Sequence, residues 1–259
     1  MIPLKDDIPT RRFPALTLSI IVICCLVYFG FESGLWSLGE TGDERVLEYG
    51  AIPYEVTHPG DDCGFTAGGD VRCEGQAEVG DARAPEQAPW YVTVFSSMFM
   101  HGSLLHLGGN MLFLWIFGNN IEDSMGRGRF LFFYLLGGVA ALGLQIVTDT
   151  SSTIPTVGAS GAIAAVLGAY AVLYPRARVV TLVFIIIIFT VIQLPALLVL
   201  AVWFLLQLLP AFSDPIGGGG GGVAYFAHIG GFVFGMLLIK LFANNVHEDY
   251  EASHRMPVY

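Results

Sequence analysis

The chain has 259 residues, of which 54% are apolar and only 13% charged, and its mean hydropathy is +0.64. A soluble domain carries roughly a quarter of its residues as charges, so the composition argues against soluble globular, disordered and collagen-like chains and for an integral membrane protein. With 12 basic against 22 acidic residues the net charge of -10 repels a phosphate backbone, and both lysines, Lys5 and Lys240, lack the glycine-rich context of a phosphate-binding loop. No nucleic acid and no nucleotide is expected as a partner.

A membrane helix needs about 20 mostly apolar residues to cross roughly 30 Å of hydrocarbon. The first such run, Ala15 to Phe31, follows Lys5, Arg11 and Arg12. Its basic flank resembles a signal peptide, but the run is long for one and no small-x-small cleavage site follows, so it reads as a retained anchor. A polar, strongly acidic stretch leads from Glu32 to Pro89, and Trp90 to Met100 is amphipathic. Within the stretch Cys63 and Cys73 are a possible disulfide, whose loop would add somewhat under about 3 kcal/mol in the chain-entropy picture. Cys24 and Cys25 read as packing residues.

Further spans are expected at Leu104 to Ile121, Phe130 to Val147, Ser160 to Tyr174 and Val223 to Ala243. Between Val179 and Leu209 lies one apolar run of 31 residues, interrupted by Gln193 and Pro195. As one straight helix it would measure about 46 Å, too long for a bilayer without strong tilt. Its first half is β-branched and suits an extended or re-entrant segment as well as a helix. Its second half starts with Pro195 at a suitable first helical position. The run is therefore two spans, or one span plus an interfacial piece. Gly217 to Gly222 read as a flexible connection before the last span. Six spans with both ends inside would place nine cationic residues (Lys5, Arg11, Arg12, Arg127, Arg129, Arg176, Arg178, Lys240 and Arg255) on the cytoplasmic side and three (Arg45, Arg72 and Arg83) outside.

The span interiors carry no Asp, Glu, Lys or Arg. That speaks against an ion-coupled transporter, and it removes an aspartyl intramembrane protease. No H-E-x-x-H helix is present to bind zinc, so neither a metal nor a cofactor is expected. Three polar groups remain at membrane depth. H-G-S-L-L-H-L-G-G-N carries His101, His106 and Asn110, the last two four apart and on one helical face. G-A-S-G, Gly158 to Gly161, opens the fourth span with a serine flanked by glycines. A-H-I-G-G-F-V-F-G places His228 early in the last span, followed by the close-packing pair Gly231 and Gly235. Each group alone also reads as helix packing. Together they supply acyl-transfer chemistry: a serine nucleophile, a base within reach, and donors for a developing oxyanion. With no aspartate available, two residues replace three, and packing along the glycine seam against Gly161, Ala164, Ala165 and Gly168 is expected to orient the imidazole.

These motifs resemble the rhomboid intramembrane serine proteases: H-x-x-x-x-H-x-x-x-N on the second span, G-x-S-G at the fourth, A-H-x-x-G on the sixth, and Glu122 to Gly126 as an E-x-x-x-G after the second. The resemblance implies Ser160 as nucleophile, His228 as base and His106 and Asn110 at the oxyanion site, with His101, Gly158, Gly161, Gly231 and Gly235 supporting. Some members have a tyrosine four residues after the nucleophile; here that position is Ala164. Some also have a Trp-Arg pair in the first outer loop, where Trp90 is followed by Tyr91.

The dyad then decides the ambiguous run. Two spans between Val179 and Leu209 would put His228 on the cytoplasmic side, away from Ser160. One span puts both in the outer half. The fourth span is short, about 22 Å over its fifteen residues, so Ser160 is expected below the surface and Thr153 to Gly158 must descend in irregular form beside protein or water.

The expected fold is thus an all-α polytopic bundle of six transmembrane helices, with a long acidic extracytoplasmic loop between the first two. Residues 1–14 form a cytoplasmic segment, 15–243 the membrane protease domain with its loop at about 32–100, and 244–259 a cytoplasmic tail. The expected activity is hydrolysis of single-span membrane proteins near the outer boundary of the lipid bilayer, in a bacterial or archaeal plasma membrane with both termini cytoplasmic. The alternative is a non-catalytic rhomboid-like protein that binds or chaperones transmembrane segments.

Overall fold

A computed structural model describes residues 2–33, 42–76, 87–185, 188–213 and 223–244. In chain order it contains β1 (Ile2–Asp6), α1 (Ala15–Leu26, continued by a π-helical stretch Val27–Glu32), α2 (Gly42–Tyr49), α3 (Pro53–Thr57), β2 (Cys63–Phe65) and β3 (Val71–Cys73). Then follow α4 (Trp90–Ser96, with a 3-10 turn Ser97–Phe99), α5 (Leu104–Phe113, with a π-helical stretch Leu114–Gly118), α6 (Asn119–Met125), α7 (Arg127–Thr148) and α8 (Ser160–Leu173). The chain closes with β4 (Arg178–Ile185), β5 (Ile188–Pro195), α9 (Ala196–Ser213) and α10 (Tyr225–Phe242). Ala15–Glu32, α7 and α10 are long and apolar enough to cross a membrane, and α8 and α9 are shorter apolar helices.

The centre of the molecule is α8. A helix apolar on every face is either enclosed by neighbours or faces lipid, and α8 is enclosed: from Gly161 to Tyr170 every residue is buried. Gly161, Ala162, Ala164, Ala165, Gly168 and Ala169 keep its surface low, so backbones approach closely. At Gly168 a Cβ would run into the backbone carbonyl of Phe232 on α10, and at Gly161 it would lie 2.7 Å from Ala141 Cβ on α7. The points of contact climb together, Gly231 beside Gly161 and Gly235 beside Ala165, so α8 and α10 run parallel.

Glu122, in the E-x-x-x-G motif, explains how the first helix is fixed. The start of α1 leaves backbone N–H groups without intrahelical partners. The Glu122 carboxylate accepts from Leu16 N–H at 3.1 Å, Thr17 N–H at 2.7 Å and Thr17 Oγ at 2.8 Å. Gly126, with φ +80, then turns the chain from α6 into α7, a conformation glycine adopts at no steric cost.

The all-α expectation needs correction in three places, one of them the short β2–β3 pair. The first half of the 179–209 run is a β-hairpin, β4 with β5, and only its second half is helical. Its β-branched residues fit the pleated strand better than a helix. The 1–14 segment also contributes a strand, because β1 pairs antiparallel with β4 to make the sheet order β1-β4-β5. Asp6 anchors that strand to the helices by accepting from Tyr170 Oη at 2.7 Å and Asn120 Nδ2 at 2.5 Å. The glycine run 217–222, Arg83, Arg255 and the tail beyond residue 244 lie outside the described residues.

Between α1 and α4 the chain packs a small core of Leu47, Ile52, Tyr54, Cys63 and Cys73, with Cys63 and Cys73 joined in a disulfide across β2 and β3. Glu55 is buried beside this core, and its Oε2 has no hydrogen-bond partner among the described residues. Burial, with a smaller push from Asp62, raises its carboxyl from the ordinary 4.5 to about 7. The folded state therefore keeps a proton that the unfolded chain releases, and stability falls as pH rises through the window from about 4.5 to 7. Glu55→Gln removes the charge and should raise the thermal midpoint more at pH 8 than at pH 5; equal shifts at both values would contradict this account.

Candidate active site

The approach to Ser160 is irregular backbone, and several polar groups of residues 152–158 find partners in the loop between α1 and α5. Ala51 and Thr156 exchange N–H to carbonyl bonds of 3.1 and 2.8 Å, Tyr54 N–H donates to Ser152 O at 3.0 Å, and Gly158 N–H donates to Ser97 O at 2.8 Å. Gly158 has φ +135, and a Cβ on it would lie 2.9 Å from His106 Nε2 and 3.4 Å from Ser160 Oγ. Only glycine satisfies both the backbone angle and the close approach. Ser160 follows at the first position of α8, where backbone N–H groups lack intrahelical acceptors and favour negative charge.

The H-G-S-L-L-H sequence places His106 by capping. Ser103 sits in extended conformation at the N-cap of α5, and its Oγ accepts from the His106 N–H at 3.1 Å, the bond that N-cap serines commonly make. One turn later Asn110 is on the same face, and both line one cavity with Ser160 and His228. Asn110 Nδ2 is buried without a hydrogen-bond partner among the described residues. His101 does not line that cavity. It is buried, its ring packs edge-on against that of His106 with centroids 5.2 Å apart, and its N–H donates to the Glu32 carboxylate at 2.9 Å. Its place is therefore behind His106.

His228 is brought in by the seam. Cβ atoms on Gly231 and Gly235 would collide with the backbone carbonyls of Gly161 and Ala165, so these glycines are what lets α10 lie against α8. The result is a distance of 2.7 Å between His228 Nε2 and Ser160 Oγ. Gln145 on α7 accepts from Ala227 N–H at 3.2 Å and holds the start of α10 from the other side. The cavity in front of the pair has a volume of about 840 Å³, walled also by Trp203, Leu206 and Gln207 of α9.

Packing is not the whole of what orients His228, contrary to the reading from sequence. Gln207 Oε1 lies 2.8 Å from His228 Nδ1, and the Trp203 ring is inclined to the imidazole with centroids 5.8 Å apart. Neither residue stands in a motif of the sequence, where Gln193 and Pro195 interrupt the apolar run. The available signal was that Gln207 is the one polar side chain between Pro195 and Pro210. Ala164, in the position of the tyrosine found in some rhomboids, is fully buried against Gly231 instead.

The rhomboid domain model matches residues 88–245, more than half of the chain and the whole of this site. The chain belongs to the rhomboid family. It is accordingly a membrane-embedded protein of a family that includes serine proteases. Among similar proteins, Rhomboid protein 1, mitochondrial, of Saccharomyces cerevisiae is 33% identical over 97 residues, covering 36% of this chain and 28% of that protein. Presenilin-associated rhomboid-like protein A, mitochondrial, of Danio rerio is 40% identical over 84 residues, 32% of this chain and 22% of its own length. Rhomboid protease GluP of Bacillus subtilis is 37% identical over 83 residues, 32% of this chain and 16% of its own. The matched stretches thus span well under a third of each relative.

The seam of this rhomboid makes a direct test. In Gly231→Val the new side chain meets backbone rather than a movable side chain, so α10 must shift. A misplacement of about 1 Å can cost about 10²-fold in rate. Labelling of Ser160 by a fluorophosphonate should fall by about that factor while the variant still folds and inserts; undiminished labelling would show that the seam does not position His228.

Proposed function

We propose that the chain is an intramembrane serine endopeptidase that hydrolyses peptide bonds of single-span membrane proteins near the outer membrane boundary through a Ser160–His228 dyad. The observation that carries this reading is the 2.7 Å contact between His228 Nε2 and Ser160 Oγ at the wall of a cavity that His106 and Asn110 also line. Membership of the rhomboid family, and a similar protein named a rhomboid protease, support it.

In the proposed reaction His228 Nε2 takes the proton of Ser160 as Oγ attacks the scissile carbonyl. The oxygen of that carbonyl becomes an oxyanion, met by the Ser160 N–H at the start of α8, the unpartnered Asn110 Nδ2 and the ring of His106. His228 then passes its proton to the leaving amine, and water cleaves the acyl-enzyme by the same base. The substrate must arrive extended, because a helix keeps its carbonyls in backbone hydrogen bonds, so residues that weaken helices, such as Gly or Pro, are expected near the cut.

The same reading takes α1, α5 with α6, α7, α8, α9 and α10 as six crossings with both termini cytoplasmic, 15–243 as the protease domain and the loop at about 32–100 as extracytoplasmic. The β4–β5 hairpin then lies on the cytoplasmic side, and a single crossing by α9 returns the chain so that α8 and α10 enter from the same face. Two of the three similar proteins above are mitochondrial by name, so the expectation of a bacterial or archaeal plasma membrane is not borne out.

Purified protein reconstituted with a model transmembrane substrate tests the proposal. Wild type should cleave and Ser160→Ala should not; cleavage that survives in Ser160→Ala rules out the serine mechanism. Removal of one oxyanion donor typically costs about 10²–10³ in turnover. His106→Ala and Asn110→Ala should each lose activity on that scale yet retain the native thermal midpoint to within a few degrees. Loss of folding in both would assign them to packing instead.

A further inference from the structure

A serine base of this kind works only if the imidazole presents a lone pair at Nε2, which requires the proton to sit on Nδ1. Neutral histidine carries its proton on either nitrogen, and the partner of the other nitrogen decides between them. In this fold that partner comes from α9. Gln207 is the one polar side chain between Pro195 and Pro210. Gln207 is half-buried at the cavity wall, and an amide drawn out of water favours a compensating bond. Two are found. Gln207 Nε2 donates to the Trp203 carbonyl at 3.3 Å, and Gln207 Oε1 lies 2.8 Å from His228 Nδ1.

The two bonds fix each other. If the amide were turned over, Oε1 would face the Trp203 carbonyl, two acceptors in contact, and that pairing is repulsive. The carbonyl bond therefore directs Oε1 to the imidazole. An acceptor at that position requires Nδ1 to be the donor. Nε2 is then left as acceptor for the Ser160 hydroxyl at 2.7 Å. His106, Asp149 and Tyr225 are the other titratable groups lining the cavity, and the hydrogen bonds of the His228 ring go to Gln207 and Ser160 rather than to any of them.

We propose that Gln207 is the positioning residue of the reaction: by accepting from His228 Nδ1–H it fixes the tautomer and rotation of the base, as a neutral third member beside Ser160 and His228. This rests on the serine-hydrolase reading above. Trp203, one turn earlier on α9, limits the tilt of the ring through its face and supplies the carbonyl that orients the amide.

The experiment combines cleavage kinetics with a measurement that needs no activity. Gln207→Leu keeps similar volume and removes the acceptor; kcat should fall on the order of 10²-fold, with KM nearly unchanged. Gln207→Glu restores an acceptor and should recover most of that loss. A carboxylate beside the imidazole favours its protonated form, so the acidic limb of the Gln207→Glu pH–rate profile should move about one unit upward. In 15N-histidine NMR of the detergent-solubilised protein, with the His228 signal assigned by its loss in His228→Ala, wild type should show the Nδ1–H tautomer. Gln207→Leu should show a mixture. Wild-type kcat in Gln207→Leu overturns the proposal. Equal losses in both variants with an unmoved pH profile, or a His228 tautomer indifferent to Gln207→Leu, also overturn it. An inert wild type that shows the expected tautomer change would instead defeat the hydrolase reading and leave the placement of Gln207 standing.

Discussion

The close contact between α8 and α10 is the constraint on which the site depends. Two helices ordinarily pack 8–10 Å apart, held off by their side chains. Here Gly168, Gly231 and Gly235 remove that standoff, and the carbonyls of Phe232, Gly161 and Ala165 occupy the space where their Cβ atoms would sit. In a membrane no hydrophobic force drives apolar helices together, so association rests on such close packing. The 2.7 Å approach of His228 to Ser160 is a consequence of that packing. It depends equally on chain direction: α8 and α10 are parallel, and a parallel pair requires the intervening chain to cross back once.

Several polar groups elsewhere hold a chain end or a turn. Glu122 caps the start of α1, Glu32 accepts the His101 N–H, and Gln145 accepts from Ala227 at the start of α10. Helix starts expose N–H groups that apolar surroundings cannot satisfy, so Glu122 and Gln145 lie where helices begin, while Glu32 meets the backbone just past the 3-10 turn. The same logic applies to residues 152–158, whose hydrogen bonds to Ala51, Tyr54 and Ser97 make irregular backbone tolerable beside Ser160.

How much of this was legible in the sequence depended on range. Ser160, His228, His106 and Asn110 stand in local motifs whose spacing survives in one dimension, and the i, i+4 glycine pair announces a seam. The parallel run of α8 and α10 was also derivable, because otherwise Ser160 and His228 could not meet. The pairing of β1 with β4 was not. It joins residues 173 to 180 apart, from Asp6 with Val179 to Ile2 with Leu182, and hairpin residues apolar on both faces carry no period-2 signal. Gln207 was missed for a different reason: a lone amide in an apolar helix looks like an interruption until its partner, 21 residues away, is placed beside it.

The choice of an amide at that place has a physical logic in a membrane. A carboxylate would stabilise the imidazolium more strongly in the transition state, since its charge opposes the one that forms. Under the proposed reading it would also be a charge held among apolar helices in the resting protein, where desolvation is costly and one partner alone does not repay it. A neutral carbonyl gives up part of that stabilisation and avoids the resting cost. It still dictates the tautomer, because hydrogen-bond direction depends on the acceptor and not on its charge. The weaker electrostatic help is then offset by geometry: the seam fixes the backbone of α10, Trp203 limits the tilt of the ring, and Gln207 fixes its rotation. The base thus takes its position from α8, α9 and α10 together, so displacement of α9 alone would uncouple His228 from its acceptor while leaving Ser160 and the seam in place.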